Sequence, residues 1–219
     1  MTRTEIALFT LAVAAAIGGA LLGWPWVHWI GKPAATAILL AAVARRGQGR
    51  YGRAIAFGLA ASLLGDVALM LPQDLFLPGL AAFFVAHLAY LRAFSLGIGP
   101  SRDLPVLACF AALVLIVIVL LWPGLPAAMR VPVIAYAAVL GAMAAQAVSR
   151  VRITRDPADG LAAFGAVLFT ASDILLAVNR FLDPLPASAL WVLGLYFAAQ
   201  VLIAQSALRA PVALTARLR

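Results

Sequence analysis

Charge is what this sequence has least of. Asp, Glu, Lys and Arg make up 11% of its 219 residues, whereas soluble globular chains carry about 25%. Hydrophobic residues make up 65%, and the mean hydropathy is +1.06. So few polar groups cannot cover the surface of a soluble domain of this length. A soluble fold is excluded, and an all-α integral membrane protein is expected. Cysteine is nearly absent too. Cys109 stands alone in an apolar run, which excludes an intrachain disulfide and a cysteine-based metal cage. The sequence has no Gly-x-Ser-x-Gly elbow, no His-Glu-x-x-His zinc helix and no glycine loop of the phosphate-binding kind. Their absence argues against a serine lipase or an ATP-driven pump.

What the sequence does have is apolar stretches, at about 5–23, 32–44, 53–71, 76–96, 104–122, 131–148, 160–180 and 188–208. At about 20 residues per span, these predict eight transmembrane helices forming a single domain, 1–219, with no folded unit outside the membrane. The second stretch is shorter than a full span. With eight spans, Arg3, Arg45, Arg46, Arg50, Arg53, Arg92, Arg102, Arg150, Arg152, Arg155, Arg209, Arg217 and Arg219 fall on the side of both termini. That is thirteen of the sixteen basic residues, and Lys32, Arg130 and Arg180 are the remainder. By the positive-inside rule both termini are expected in the cytoplasm, the protein being a multi-pass one of the cell membrane, the inner membrane of a bacterium. The net charge of +8 therefore reports orientation, and nucleic acid is not expected as a partner. The first stretch is long for a signal peptide and is followed by Trp24, Trp26 and Trp29 as an interfacial belt, so it is expected to be retained.

A pattern recurs at an offset of 107 residues. Ala56-Phe57-Gly58 precedes Gly65-Asp66 and Leu69, and Ala163-Phe164-Gly165 precedes Ser172-Asp173 and Leu176. The two copies lie in helices 3 and 7, four spans apart and running in the same direction. This predicts two four-helix halves related by an axis along the membrane normal, with Pro33 and Pro132 as weaker matches in helices 2 and 6.

Polar residues inside spans are costly, at roughly 2.5–3.5 kcal/mol for a charge at mid-bilayer, so each calls for a reason. Counted from the inner edge at about 1.5 Å per residue, Lys32, Asp66, Asp173 and Tyr196 all come out about 20 Å deep, with Gln200 a turn away. His87 and Tyr90 lie roughly 10–15 Å above Gly97. His87 and Tyr90 share a helix face, as do Tyr196 and Gln200. Arg180 lines up with Asp173, with Asn179 alongside. Helices 2, 3, 4, 7 and 8 are therefore expected to line one polar cavity, with helices 1, 5 and 6 as scaffold. Pro33 suits the first turn of helix 2, where a cation opposes the helix dipole, so Lys32 calls for a partner, either an aspartate or a phosphate. Two carboxyls in one low-dielectric site cannot both carry charge cheaply. Such a pair equips a site for general acid/base hydrolysis and equally for a proton relay in a proton-coupled or lipid transporter.

At these residues the sequence resembles the YhhN-like family, which includes the lysoplasmalogenases. The resemblance is carried by Gly31-Lys32-Pro33, Leu64-Gly65-Asp66-Val67-Ala68-Leu69, Ala86-His87-Leu88-Ala89-Tyr90, Phe169 through Ala177, Asn179-Arg180-Phe181 and Tyr196-Phe197-Ala198-Ala199-Gln200. It implies hydrolysis of the sn-1 vinyl ether bond of a lysoplasmalogen, a lysophospholipid drawn from the membrane, to a fatty aldehyde and a glycerophospho-base. It implies Asp66 and Asp173 as the catalytic pair, tuned by Ser62 and Ser172, with no metal or organic cofactor. Lys32 and Arg180 are then candidates for the headgroup phosphate, and His87, Tyr90, Asn179, Tyr196 and Gln200 for other substrate contacts.

The topology is open to a direct test. A fluorescent-protein reporter fused after Arg219 should light up and a periplasm-dependent phosphatase at the same point should stay inactive. The opposite pair of results would invert the orientation.

Overall fold

The computed structural model describes residues 1–71 and 73–210. Eight helices follow one another: α1 (Arg3–Leu21), α2 (Pro25–Arg46), α3 (Gly49–Met70), α4 (Phe76–Ser95), α5 (Leu104–Leu121), α6 (Ala127–Thr154), α7 (Pro157–Phe181) and α8 (Ser188–Arg209). A short 3-10 turn, Trp122–Gly124, follows α5. All eight helices are long and apolar enough to cross a membrane, and no strand occurs among the described residues. Arg217 and Arg219, counted above for topology, lie outside the described residues.

Two helices differ most from the expected bounds. Helix α2 starts at Pro25, not near 32, and so reaches 22 residues, a full span. Pro25 takes the first-turn place that suits proline, and Trp26 and Trp29, read as a belt, are helical. Lys32 and Pro33 thus lie two turns inside α2, and the dipole argument for Lys32 falls away. Helix α6 runs to Thr154, well past 148, and is 28 residues long. Its extra turns are polar, but those polar groups are satisfied. Arg150, counted above with the loop cations, is 1% exposed. Its Nε donates to Asp159 Oδ1 at 2.6 Å, and its Nη1 donates to the carbonyls of Phe94 (3.2 Å) and Leu96 (2.6 Å). Thr154 donates to the other Asp159 oxygen at 2.7 Å, and Gln146 binds the carbonyls of Phe94 and Gly99. This hub fastens the ends of α4, α6 and α7 together.

Contacts between connections define two ends of the bundle. At the proximal end, Arg45 and Arg46 of α2 reach Glu5 of α1. At the distal end, Asp74 of the α3–α4 turn meets Arg180 of α7. Small residues allow the helices to approach closely, as is usual in membrane bundles. A Cβ on Gly31 would lie 2.5 Å from the Ala16 nitrogen in α1, and one on Gly165 would lie 2.9 Å from the Ala199 oxygen in α8. Gly58 seats the Tyr90 ring of α4 in the same way. Helix α5 stands at the rim, with only Val106 and Leu121 buried.

The proximal hub should matter to stability. Arg150→Met strands Asp159 in the interior and should cost about 3–5 kcal/mol. The exposed Arg152, paired with Asp103 at 3.1 Å, should cost under about 1 kcal/mol when changed to Met. Equal losses for the two variants in detergent unfolding would refute the distinction.

Candidate active site

The polar residues singled out in the sequence converge, but in two hydrogen-bonded groups. The first is centred on Asp66, which is fully buried. Lys32 and Thr36 are four residues apart on α2 and so share a face. Thr36 Oγ1 donates to Asp66 Oδ2 at 2.6 Å, as does Tyr196 Oη from α8, also at 2.6 Å. Lys32 Nζ stands 3.3 Å from Asp66 Oδ1, facing it without hydrogen-bond alignment. The group continues outward. Gln200 Nε2 donates to Tyr196 Oη at 3.1 Å, and Tyr90 Oη donates to Gln200 Oε1 at 2.9 Å. With the Tyr90 hydroxyl hydrogen used this way, Ser62 at 3.4 Å must donate to Tyr90.

The second group is centred on Asp173. Tyr136 Oη donates to Asp173 Oδ2. Having donated its hydrogen, Tyr136 must accept from His87 Nε2, 2.9 Å away. That assigns the His87 hydrogen to Nε2, which also lies 3.5 Å from Asp173 Oδ2. His87 is fully buried, and its Nδ1 has no hydrogen-bond partner among the described residues. Phe169 separates the two groups, with its ring 4.7 Å from His87 and 5.4 Å from Tyr196, centroid to centroid.

The two aspartates differ in access. Asp66 is sealed among α2, α3 and α8. Asp173 and Tyr136 line an open apolar groove between α4, α5, α6 and α7, whose walls include Phe83, Val114, Ile118, Leu140, Ile174 and Phe181. The single cavity expected on helices 2, 3, 4, 7 and 8 is thus replaced by a buried cluster and a groove. The expectation that α5 and α6 are scaffold is corrected: α6 supplies Tyr136, and α5 forms one wall.

Other expected residues lie elsewhere. Arg180 is at the distal end, with Nη2 2.8 Å from both oxygens of Asp74. Asn179 Oδ1 accepts from the Leu185 backbone at 2.9 Å and so caps the turn after α7. Neither touches either aspartate group. Ser62 binds Tyr90, and Ser172 Oγ donates to the Val192 carbonyl of α8, so neither serine touches an aspartate. Two residues were missed, Thr36 and Tyr136. Thr36 lies one turn past Lys32 and could have been found by that spacing. Tyr136 lies one turn past Pro132, at a depth similar to that of the marked residues.

Residues 27–207 match the family model described as the YhhN family. The chain is 37% identical over 173 residues to lysoplasmalogenase TMEM86B of Homo sapiens, which covers 75% of this chain and 67% of the relative. It is 34% identical to lysoplasmalogenase TMEM86A of Homo sapiens over 68% of this chain and 63% of the relative. It is 31% identical over 205 residues to a lysoplasmalogenase of Mycobacterium bovis, covering 90% of this chain and 76% of the relative. No solved structure matches the chain.

The buried ion pair predicts a non-additive pattern. Lys32→Met leaves the Asp66 charge without its cation and should lower the unfolding free energy by about 3–5 kcal/mol. Adding Asp66→Asn should restore most of that loss. A Lys32→Met variant as stable as wild type in chemical denaturation would show that Asp66 does not depend on the lysine.

Proposed function

The chain belongs to the YhhN family, and on that premise we propose that it is a lysoplasmalogenase. In this reading it is a membrane hydrolase that opens the sn-1 vinyl ether bond of a lysophospholipid. The products are a fatty aldehyde and glycerophosphoethanolamine or glycerophosphocholine. The three relatives described above all carry that name. A transporter using the same aspartates has no support among them. The observation that carries the mechanism is a carboxyl, Asp173, on the wall of an apolar groove and tied to Tyr136.

The chemistry suits that placement. A vinyl ether is cleaved when a proton adds to its outer alkene carbon and leaves an oxocarbenium ion at the carbon bearing oxygen. Asp173 donates that proton from the groove wall. Its carboxylate then lies beside the cation it has created and stabilises it. Water attacks the cationic carbon and gives up a proton to Asp173. The resulting hemiacetal expels the glycerol oxygen, which leaves with a proton as the aldehyde forms. One water is consumed, and the acid is regenerated. His87 and Tyr136 hold Asp173 in place. Asp66 is the charged member of the pair, balanced by Lys32. It fixes Tyr196, Gln200 and Tyr90 as a rigid polar set that ties α4 and α8 to α2 and α3 behind the groove.

The two-half organisation belongs to the same proposal. Asp66 on α3 is held from α2 and α8, and Asp173 on α7 is met by α6 and α4. Each aspartate thus uses the preceding helix of its own half and the last helix of the other. Gly58 seats α4 and Gly165 seats α8 in the matching way. This supports a 4+4 repeat; the arginines gathered at the proximal end favour cytoplasmic termini, and the inner membrane of a bacterium is the membrane proposed.

Purified protein in detergent should release aldehyde from lysoplasmenylethanolamine, followed by mass spectrometry. Asp173→Asn should lower the rate by about a hundredfold or more, and Asp66→Asn should lower it less, through the packing it anchors, with the helical signal intact in both. Wild-type rates in both variants would rule out the carboxylate mechanism.

A further inference from the structure

The groove that Asp173 lines runs on to the distal end, and its mouth is charged. Phe76 and Phe181 meet there edge to face, with centroids 5.5 Å apart. The Arg180 guanidinium lies 5.1 Å over the Phe76 ring while it holds Asp74. Asp74 keeps this position in a left-handed backbone conformation, φ +50°, which is uncommon outside glycine. Both side chains remain open, at 44% for Arg180 and 68% for Asp74. On α6, Arg130 lies one turn beyond the groove residue Val133 and stacks 4.4 Å over Trp122. The turn that Trp122 begins abuts α7, because Gly124 has no room for a side chain against the Phe181 carbonyl.

The spacing fits one ligand. Arg180 is seven residues past Asp173 on the same face, about 10 Å along the axis. In a lysoplasmalogen seven bonds separate the alkene carbon that Asp173 protonates from phosphorus, roughly 8–9 Å when extended at bond lengths near 1.5 Å. A phosphate oxygen then takes an N–H at about 2.8 Å. Of the two cations given above as phosphate candidates, Lys32 is committed to Asp66. An Arg–Asp pair this exposed is weak, so a phosphodiester can exchange for the carboxylate.

We propose that Arg180, with Arg130 of α6 at the same end of the bundle, is the headgroup-phosphate subsite, and that Asp74 is its resting counter-ion, displaced when substrate binds. This rests on the hydrolase reading and adds a direction to it. The phosphate enters at the distal mouth, the alkenyl bond reaches Asp173, and the tail runs past it along α5. The rival is a plain surface tie between the α3–α4 turn and α7, and the two differ in sign. Kinetics in mixed micelles would be compared for lysoplasmenylethanolamine and for a 1-alkenylglycerol, which has the same vinyl ether and no phosphate. Arg180→Gln should raise KM for the phospholipid roughly tenfold with kcat little changed, and should leave the alkenylglycerol unaffected. Asp74→Asn should lower KM for the phospholipid several-fold. Parallel losses in both variants on both lipids, or an unchanged phospholipid KM in Arg180→Gln, would overturn the subsite while leaving the hydrolase intact. No aldehyde from either lipid with wild type would overturn the hydrolase reading, and this one with it.

Discussion

The carboxylate of Asp66 lies where water does not reach it, and much of the bundle is arranged around that fact. A lone charge in such a place would be prohibitive. Lys32 and Thr36 from α2 and Tyr196 from α8 converge on it, and Gln200 and Tyr90 extend the satisfaction to α4. Each contact ties two helices that lipid packing alone would hold only weakly. The register of α2, α3, α4 and α8 is therefore specified by a polar requirement, and the glycines that let these helices approach serve the same end.

Asp173 has the opposite setting. It accepts a hydrogen bond from Tyr136 and faces a groove whose wall on the α5 side is wholly aliphatic. One aspartate is locked and the other accessible, divided by the Phe169 ring. Similar sequence motifs have thus been given unlike environments, and unlike environments let two carboxyls take different parts in acid/base chemistry. The rim position of α5 bears on this as well. A helix held mainly by α6 leaves the groove beside lipid, which is where a lysolipid resides.

Much of this was legible because charge inside a membrane announces itself. Asp66, Asp173, Lys32 and His87 stand out in apolar runs, and helical rise alone placed them at similar depths. What stayed hidden was cheap to bury. Thr36 and Tyr136 cost little in a span, so nothing in the composition marked them, and α6 read as scaffold. The limits of α2 were obscured because its first turns are tryptophans, which suit an interface as well as a helix. Arg150 was taken for a loop cation because its partners, Asp159 and two carbonyls from the end of α4, are contributed by other segments. The division into a sealed cluster and an open groove depends on which side of Phe169 each group falls, and helical periodicity does not resolve that.

An acid fixed in the groove wall delivers its proton to one face of the alkene carbon. Running the reaction in D2O and reducing the aldehyde at once to the alcohol records which face. A fixed Asp173 predicts one deuterium on the carbon next to the former carbonyl, in a single configuration. Deuterium spread equally over both configurations would mean that protonation happens free in solvent and that Asp173 is not the proton donor.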